Sequence, residues 1–205
     1  LDVTAIVGNG SKANVQEMQD GNAELAFCQS DVMSYAWNGE RTFKDEGKID
    51  CFSAIAVLYN EQVQIVTCDP NIKSVADLKG KKVSIGASGS GVYFNAIDVL
   101  EAYGITENDI TPTYQSFGDS ANSLKDGQID AAFVVAGAPT TAITDLSTSK
   151  QAYLVSLDEE HVKQMEAKNP FYITDVIPAG TYKGIDTPTT TVAVGAVVLV
   201  SDRVS

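Results

Sequence analysis

A loop built only from glycine, alanine and serine, residues 86–91, is the part of the chain best suited to hold a small anion. An apolar segment ends at Ile85 and an amphipathic segment begins at Val92, which predicts a strand, a loop and a helix in that order. The glycines allow close approach of the backbone, Ser88 and Ser90 add hydroxyl donors, and the helix start presents free N–H groups. The pattern predicts a carboxylate-binding loop, and an ordinary strand-to-helix turn is the alternative.

Phosphate loops and arginine clamps, the other common devices for binding anions, do not fit this sequence. The glycines are spaced G-x-x-G-x-G, which differs from the G-x-G-x-x-G dinucleotide fingerprint and from a P-loop ending in Gly-Lys-Ser/Thr. An arginine fork is the usual clamp for a carboxylate. Only Arg41 and Arg203 are present, and neither lies in a loop that resembles a site. We therefore expect main-chain amides and hydroxyls to hold the anion.

A second candidate contact follows the apolar strand predicted at residues 24–28. Gln29, Ser30 and Asp31 come directly after this strand. In open α/β sheets a ligand lies beyond the carboxyl ends of the strands, which favours these three side chains as ligand contacts. Asp31 has an alternative role, because it is well placed to cap the helix predicted at residues 32–37.

Residue types that catalyse reactions or bind metals are scarce. The one histidine, His161, lies in the acidic helix start at residues 158–163, which predicts solvated surface rather than a catalytic role. Cys28, Cys51 and Cys68 lack C-x-x-C spacing, so we expect neither a zinc site nor a cofactor. Cys51 and Cys68 flank two predicted strands and could pair in an oxidising compartment, and three buried thiols are the alternative.

The composition limits the class of protein and its partners. The 205 residues are 44% hydrophobic and 20% charged, which is typical of a soluble globular chain with one domain or two small ones. Basic residues total 14 against 27 acidic ones, and the net charge of -13 argues against nucleic acid and anionic membrane surfaces as partners. The longest apolar run, residues 192–200, is far short of the roughly 20 residues of a membrane span, so we expect no direct membrane insertion.

Strands and helices alternate along the chain, as in an α/β fold. Predicted strands lie at residues 1–7, 24–28, 52–59, 63–67, 81–85, 113–117, 129–135, 152–156 and 191–200. Predicted helices lie after a cap at Ser11 and at residues 32–37, 92–103, 119–125, 139–146 and 159–168. Capping boxes are predicted at Ser74–Asp77 and Thr106–Asp109, and Asp158 is predicted to cap the helix at 159–168. Residues 171–191 are rich in proline, glycine and threonine and are predicted to be a long connection.

An internal repeat predicts how these elements are organised. Residues 18–27 and 124–133 share a helix end, Asp-Gly, a spacer, an acidic residue and an Ala-Phe strand, and a polar or Gly/Pro loop follows each. The repeat predicts two related α/β lobes, one of residues 1–66 plus 189–205 and the other of residues 67–188. Two strands crossing between the lobes would act as a hinge beside a cleft.

Four blocks of sequence together resemble the TAXI family, the solute receptors of TRAP transporters. The blocks are LAFCQSD at 25–31, KSVADLKGKKVSIGASGSG at 73–91, LKDGQIDAAF at 124–133 and IPAGTY at 177–182. The KSxxDLKG part is shared by many periplasmic binding proteins, so the QSD and IPAGTY parts carry the specificity. The resemblance implies a two-lobed type II periplasmic-binding-protein fold, with mixed sheets flanked by helices and two crossing hinge strands.

The resemblance also implies a function without catalysis. Such a protein captures a small solute outside the cytoplasmic membrane, as a free or lipid-anchored monomer, and delivers it to the membrane subunits of a TRAP transporter. A carboxylate-bearing solute, in particular an amino acid such as glutamate or glutamine, fits a cleft with hydroxyl and amide donors and no arginine. The expected cleft contacts are Gln29, Ser30, Asp31, Tyr59, Ser88, Gly89, Ser90, Gly91, Gly137, Ala138 and Pro139.

The ends of the chain differ from the family pattern. The first strand and helix of the family, rich in Gly, Ser and Tyr, are lacking, and so is a helix expected after Arg203. The first lobe is therefore expected to be incomplete at both ends, and no signal segment is visible.

Two other classes of protein compete with a solute receptor. The effector domain of a cytoplasmic transcription regulator shares this fold, and an upstream helix-turn-helix would favour it. An enzyme with Cys28 as nucleophile is the weaker alternative, because the sequence offers no plausible base.

Overall fold

The computed structural model describes residues 2–204, which fold into one mixed β-sheet with α-helices packed on it. The strands are β1 (Leu25–Gln29), β2 (Phe52–Thr67), β3 (Lys82–Ser84), β4 (Thr111–Thr113), β5 (Ala131–Ala136), β6 (Tyr153–Leu154), β7 (Ile173–Ile177) and β8 (Thr189–Ser201). The helices are α1 (Ser11–Asp20), α2 (Ser30–Asn38), α3 (Phe43–Glu46), α4 (Val92–Ala102), α5 (Phe117–Lys125), α6 (Thr141–Ser149) and α7 (Glu159–Lys168), with 3-10 turns at Val75–Leu78 and Glu107–Asp109.

The sheet runs in the order β1-β8-β2-β5-β3-β4, with β6 also paired to β2 and β7 also paired to β8. β3 is parallel to β4 and β5, and the other pairs are antiparallel. The two long strands, β2 and β8, form the middle of the sheet. β1 and β7 extend it along β8, and β5 extends it along the second half of β2. The α/β class predicted from the alternating pattern is confirmed.

β2 is one strand of 16 residues, whereas the sequence predicted two strands with residues 60–62 as the turn between them. Residues 60–62 stay extended because β8 supplies backbone partners there: Gly195 for Asn60, Val194 for Glu61 and Ala193 for Gln62. Two irregularities in the pairing, between residues 54 and 56 and between 57 and 59, bend the strand without ending it.

Two predictions are wrong, that of a strand at residues 1–7 and that of a connection without strands at residues 171–191. Residues 2–10 contain neither helix nor strand, and no strand among the described residues pairs with them, whereas a strand was predicted at 1–7 (Leu1 lies outside the described residues). Residues 171–191 contain β7, which pairs with residues 189–193 of β8. A strand needs a partner that is distant in the chain, which residues 2–10 lack among the described strands and β7 finds in β8, and local composition does not reveal this.

Helix and strand starts follow local rules in most places. The capping boxes at Ser74–Asp77 and Thr106–Asp109 are confirmed, and the Asp158 side chain caps α7 by accepting the His161 N–H at 3.1 Å. The strand predicted at 113–117 is wrong, because β4 ends at Thr113. Ser116 instead caps α5, where its Oγ accepts the Asp119 N–H at 3.2 Å. α6 begins at Thr141 rather than at Pro139.

The apolar side chains form three buried clusters, and α4 connects two of them. One cluster lies under α4 and α7, a second surrounds α1 and α2, and a third packs α5 and α6 on the opposite face of β5. Phe94 of α4 belongs to the second cluster, where its ring stacks on Tyr35 and Phe43 with centroids 5.7 and 5.9 Å away. α2 is therefore seated directly on α4. Within residues 2–204, no helix has the length and apolar character of a membrane span.

Candidate functional site

Three loops meet where α4 begins. The Ala13 N–H of α1 donates to the Gly89 carbonyl at 3.2 Å, which joins the start of α1 to the loop at residues 86–91, called here the glycine-serine loop. A methyl group added at Gly10 would lie 2.6 Å from Ser90 Cα, and one added at Gly91 would overlap the Gln29 side chain. Only glycine permits these approaches. Residues 8–11, 29 and 89–91 therefore form one junction, which we call the loop junction.

Two buried polar atoms of the loop junction lack hydrogen-bond partners among the described residues. They are Gln29 Oε1 and Ser90 Oγ, and the Gln29 side chain is almost fully buried. Leaving a buried donor or acceptor unpaired costs about 1–3 kcal/mol, so native structures rarely keep one without a reason. Gly91 caps α4 without a side-chain hydrogen bond, so the helix start adds free N–H groups at the same place. The arrangement can accept a small polar ligand.

Ser11 belongs to the loop junction, and the sequence assigned it a different role. It was predicted to cap α1, but Gly10 occupies the cap position and Ser11 is the first residue of the helix. Its Oγ accepts the Gln29 N–H at 3.0 Å. The Ser11 hydroxyl is buried because it binds Gln29, which is distant in the chain, instead of capping its own helix. Ser11 therefore positions Gln29.

Glu61 is a second residue that the sequence did not identify. It lies half-buried on β2, and burial raises the pKa of its carboxyl group while the Gln29 amide lowers it. The prediction of a turn at residues 60–62 hid this placement, since in a turn the side chain would be solvated. Interpreting residues 52–67 as one strand would have placed the Glu61 carboxyl group on the sheet.

Ser30 and Asp31 have protein partners. Ser30 Oγ accepts the Gly195 N–H at 2.9 Å, which joins α2 to β8. Asp31 is fully buried, and its Oδ2 accepts a hydrogen bond from Asn95 Nδ2 at 2.9 Å. The prediction that Asp31 caps α2 is wrong: the cap position is Gln29, and Asp31 lies inside the first turn.

The loop at residues 137–139 approaches the same stretch of β2. The Ala138 N–H donates to Gln62 Oε1 at 3.0 Å, and the Gly137 carbonyl accepts from Thr140 Oγ1 at 3.1 Å. Tyr182, from the IPAGTY block, supports the loop by accepting the Thr140 N–H at 2.9 Å. Residues 60–62 thus lie between the loop junction and this second loop.

Tyr59 and Ser88 are more exposed. Tyr59 lies on β2 opposite Ala196, with 55% of its surface accessible, and Ser88 is exposed on the glycine-serine loop. Two cavities lie elsewhere. One of about 190 Å³ is lined by residues that include Tyr35, Asp98 and Lys168, and one of about 440 Å³ is lined by residues that include Trp37 and Phe171. Neither is lined by a predicted contact residue.

The three cysteines are free thiols. Cys51 and Cys68 lie just outside the two ends of β2, about 55 Å apart at roughly 3.3 Å per residue, so the predicted alternative of a disulfide between them is wrong. Cys28 is buried, and its Sγ donates to the Gln29 carbonyl at 3.3 Å. Burial raises the pKa of the Cys28 thiol well above its usual value, and the nearby Asp31 raises it further. Such a thiol is a poor nucleophile.

His161 has a structural explanation. Its Nδ1 lies 2.7 Å from the Asp158 carboxylate, and its ring stacks on Tyr103 with a centroid distance of 3.7 Å. Over the described range 2–204, no cluster of three or more His, Cys, Asp or Glu side chains is placed to hold a metal ion.

Three solved structures resemble this fold. The alkanesulfonate-binding protein SsuA from Xanthomonas axonopodis pv. citri, bound to MOPS, is 18% identical with a TM-score of 0.55, covering 95% of this chain and 53% of that one. The periplasmic aliphatic sulphonate binding protein SsuA from Escherichia coli is 17% identical with a TM-score of 0.56, covering 94% and 49%. The substrate binding protein of an amino acid ABC transporter is 15% identical with a TM-score of 0.51, covering 94% and 63%.

The likeness to these proteins concerns the fold, which is the mixed α/β fold of type II periplasmic binding proteins. The chain spans between 49% and 63% of their length. The sequence itself matches a family description over residues 1–205, and the chain is therefore a member of the NMT1-like family.

Proposed function

We propose that this protein is an extracytoplasmic receptor that captures a small carboxylate-bearing solute, with an amino acid such as glutamate or glutamine favoured, for a TRAP-type transporter. The observation that carries the proposal is the loop junction, where Gln29 Oε1 and Ser90 Oγ are buried without partners beside a helix start. A bound solute would supply the missing partners. The fold shared with solute-binding proteins supports the same function.

The proposed division into two lobes gives capture a mechanism. Residues 1–66 plus 189–205 contribute Ser11 and Gln29 to the loop junction, whereas residues 67–188 contribute Ser90 and Gly91. β2 ends and β8 begins at the proposed boundary, so the chain would cross between the lobes at these two strands. A solute that contacts both sides favours the arrangement in which they meet, because only differential affinity shifts such an equilibrium.

Main-chain groups rather than arginine would hold the acid group of the solute. Arg41 donates to Glu101 at 2.9 and 3.0 Å and also pairs with Asp98, and Arg203 donates to the Gln19 carbonyl at 3.0 Å. Both arginines are therefore occupied away from the loop junction. The start of α4 offers free N–H groups and the positive end of a helix dipole, which together favour an anion.

Glu61 favours an amino acid over a plain carboxylate or sulfonate. Its carboxylate lies beside Gln29 in a half-buried position, where an ammonium group would find an anionic partner. A solute with an acid group at α4 and an ammonium group at Glu61 would use both ends of the loop junction. A sulfonate without an amine would leave Glu61 unpaired and repelled.

Calorimetry tests the proposal directly. L-glutamate, L-glutamine, succinate and ethanesulfonate are titrated into the wild type and into a double variant, Ser88→Ala with Ser90→Ala. We expect an amino acid to bind and the double variant to lose about thirtyfold in affinity, since two hydrogen bonds of about 1 kcal/mol each would be removed. Thr187→Ala, which replaces an exposed hydroxyl elsewhere, serves as the control.

Two results would count against the proposal. If the double variant bound the preferred solute as tightly as the Thr187→Ala control, the glycine-serine loop would not be part of the site. If none of the four compounds bound and native mass spectrometry found no solute carried through purification, the receptor function would be refuted. The role in transport has its own test: loss of the gene should abolish uptake of the preferred solute by the cells.

A further inference from the structure

A buried polar network joins α2 to α4 and to the segment that follows α7. Asn95 Nδ2 donates to Asp31 Oδ2 and to Tyr172 Oη, each at 2.9 Å. Asp98 Oδ2 accepts from Tyr35 Oη at 2.6 Å and from Tyr172 Oη at 2.8 Å. Two carboxyl groups, those of Asp31 and Asp98, are thus buried in one network.

Among the described residues, Arg41 is the one cation that pairs directly with either of these two carboxyl groups, and Lys168 approaches them only through Glu101. The Arg41 guanidinium pairs with Asp98 and with Glu101, and it also lies over the Tyr35 ring. No hydrogen bond or ion pair of the described residues joins a cation to Asp31. The groups around Asp31 are Asp98 and Asn95 from α4, Tyr172 after α7, Tyr35 from α2 itself and Cys28 from β1. A charged Asp31 would therefore be a buried carboxylate without a paired cation, which is costly.

The unpaired atoms of Asp31 and Asn95 match each other. Asp31 Oδ1 and Asn95 Oδ1 are both buried without partners, and they belong to the two groups that already share a hydrogen bond. When Asp31 is ionised, both oxygens are acceptors and neither can satisfy the other. A proton on Asp31 Oδ1 converts it into a donor to Asn95 Oδ1, so a single proton would satisfy both atoms.

We propose that Asp31 is a neutral carboxylic acid that forms a two-bond ring with the Asn95 amide and thereby positions the start of α2 against α4. In this ring Asn95 Nδ2 donates to Asp31 Oδ2, and the Asp31 hydroxyl donates to Asn95 Oδ1. Gln29 and Ser30 immediately precede Asp31, and the loop junction immediately precedes α4. The ring thus holds together the two segments that carry the proposed ligand contacts.

The pKa of Asp31 agrees with this geometry. Burial first and the charge of Asp98 second raise the pKa of Asp31 to about 8, although the amides of Val32 and Asp31 and the Asn95 side chain oppose the rise. Because the pKa in the folded protein lies above that of the unfolded chain, the stabilisation is complete below about pH 4. It is lost as the pH rises towards 8 and changes no further above that value.

Infrared titration of the ligand-free protein tests the ring without reference to any solute. The wild type should show the carbonyl band of a protonated carboxylic acid at pH 6, and the band should disappear as the pH passes through about 8. Asp31→Asn should lack the band yet keep the two-bond ring, because an amide pairs with an amide in the same way. Asp186→Asn, at an exposed position, should leave the band unchanged.

Unfolding experiments supply the second readout. The folding equilibrium constant of the wild type, relative to that of Asp31→Asn, should fall by up to about tenfold for each pH unit between 4 and 8. Asp186→Asn should follow the wild type. Absence of the acid band from the wild type at pH 6, or an identical pH profile for wild type and Asp31→Asn, would overturn the proposal.

The link from the ring to ligand binding rests on the proposed function. Above pH 8 the affinity of the wild type for L-glutamate should fall by up to about tenfold for each pH unit, and that of Asp31→Asn should not. An affinity that falls equally in both proteins would separate the ring from the loop junction. If L-glutamate fails to bind at any pH while the acid band is present, the proposed ligand is wrong and the ring stands.

Discussion

Gln29 and Asp31 are two positions apart, yet they lie in regions of opposite character. The loop junction around Gln29 keeps two buried polar atoms, Gln29 Oε1 and Ser90 Oγ, without partners in residues 2–204. In the network around Asp31, each of Tyr35, Asp98 and Tyr172 has partners, and one proton would complete the remaining pair. The unpaired atoms of the loop junction are those that the proposed solute would pair with, whereas the hydrogen bonds to Asp98 hold α2, α4 and the segment after α7 together. Under the proposal, one short segment thus contains a binding position and a supporting position.

The largest expected effect comes from breaking the supporting network. Arg41→Met removes the cation that pairs with Asp98 and leaves this carboxyl group, which is 6% exposed, without an ion-pair partner among the described residues. We expect a loss of about 3 kcal/mol in the free energy of unfolding, measured by urea denaturation at pH 7. Arg203→Met, whose guanidinium donates to the Gln19 carbonyl at the surface, should cost less than about 1 kcal/mol. Equal losses of stability in the two variants would contradict the claim that the network around Asp98 stabilises the fold more than a surface contact does.

An intermediate effect is expected from Glu61→Gln, which tests the binding side of the comparison. The wild type should bind L-glutamate more tightly than glutarate, which lacks the amine. Glu61→Gln should lower the affinity for L-glutamate about tenfold, the equivalent of about 1.4 kcal/mol, and leave glutarate binding unchanged or improved. Calorimetry measures both ligands. A preference for L-glutamate that survives the substitution would show that Glu61 does not contact the amine.

The smallest effect on stability is expected from Gln29→Leu. The buried Gln29 amide has an unpaired oxygen, and leucine is an apolar side chain of similar size. The substitution should therefore leave the free energy of unfolding within about 1 kcal/mol of the wild type, or raise it. Affinity for the preferred solute should nevertheless fall. Asn95→Leu in the supporting network should destabilise the protein by about 2 kcal/mol, since it strips Asp31 and Tyr172 of a donor. Equal losses of stability in the two variants would remove the distinction between the regions.

The sequence predicts those features whose causes are local. The boxes at Ser74–Asp77 and Thr106–Asp109 and the cap at Asp158 depend on residues three apart, and all three are confirmed. The alternation of strands and helices is likewise visible in local hydrophobic patterns, so the α/β class is predicted correctly. The conformation of the glycine-serine loop between a strand and a helix follows from the same kind of pattern.

Features that depend on distant partners escape local prediction. β7 forms because β8 has a free edge beside it, and β2 continues through residues 60–62 because β8 supplies hydrogen bonds there. Ser11 and Asp31 look like helix caps, but each has a partner from another part of the chain, Gln29 and Asn95 respectively. Glu61 was missed for the same reason, because its place on a long strand is set by β8. The contacts predicted at 29–31 stay a prediction: Ser30 and Asp31 have partners within the protein, and Gln29 Oε1 has none among the described residues.

Backbone amide NMR during a titration with L-glutamate tests the central claim most directly. The proposal predicts that the largest shifts occur at Gly89, Ser90, Gly91 and Val92 and at the Gln29 side-chain amide, with saturation at a single dissociation constant. It also predicts smaller shifts around the 190 Å³ cavity lined by Tyr35 and Lys168. Shifts concentrated at that cavity, with the amides of residues 89–92 unmoved, would contradict the assignment of the loop junction as the binding site.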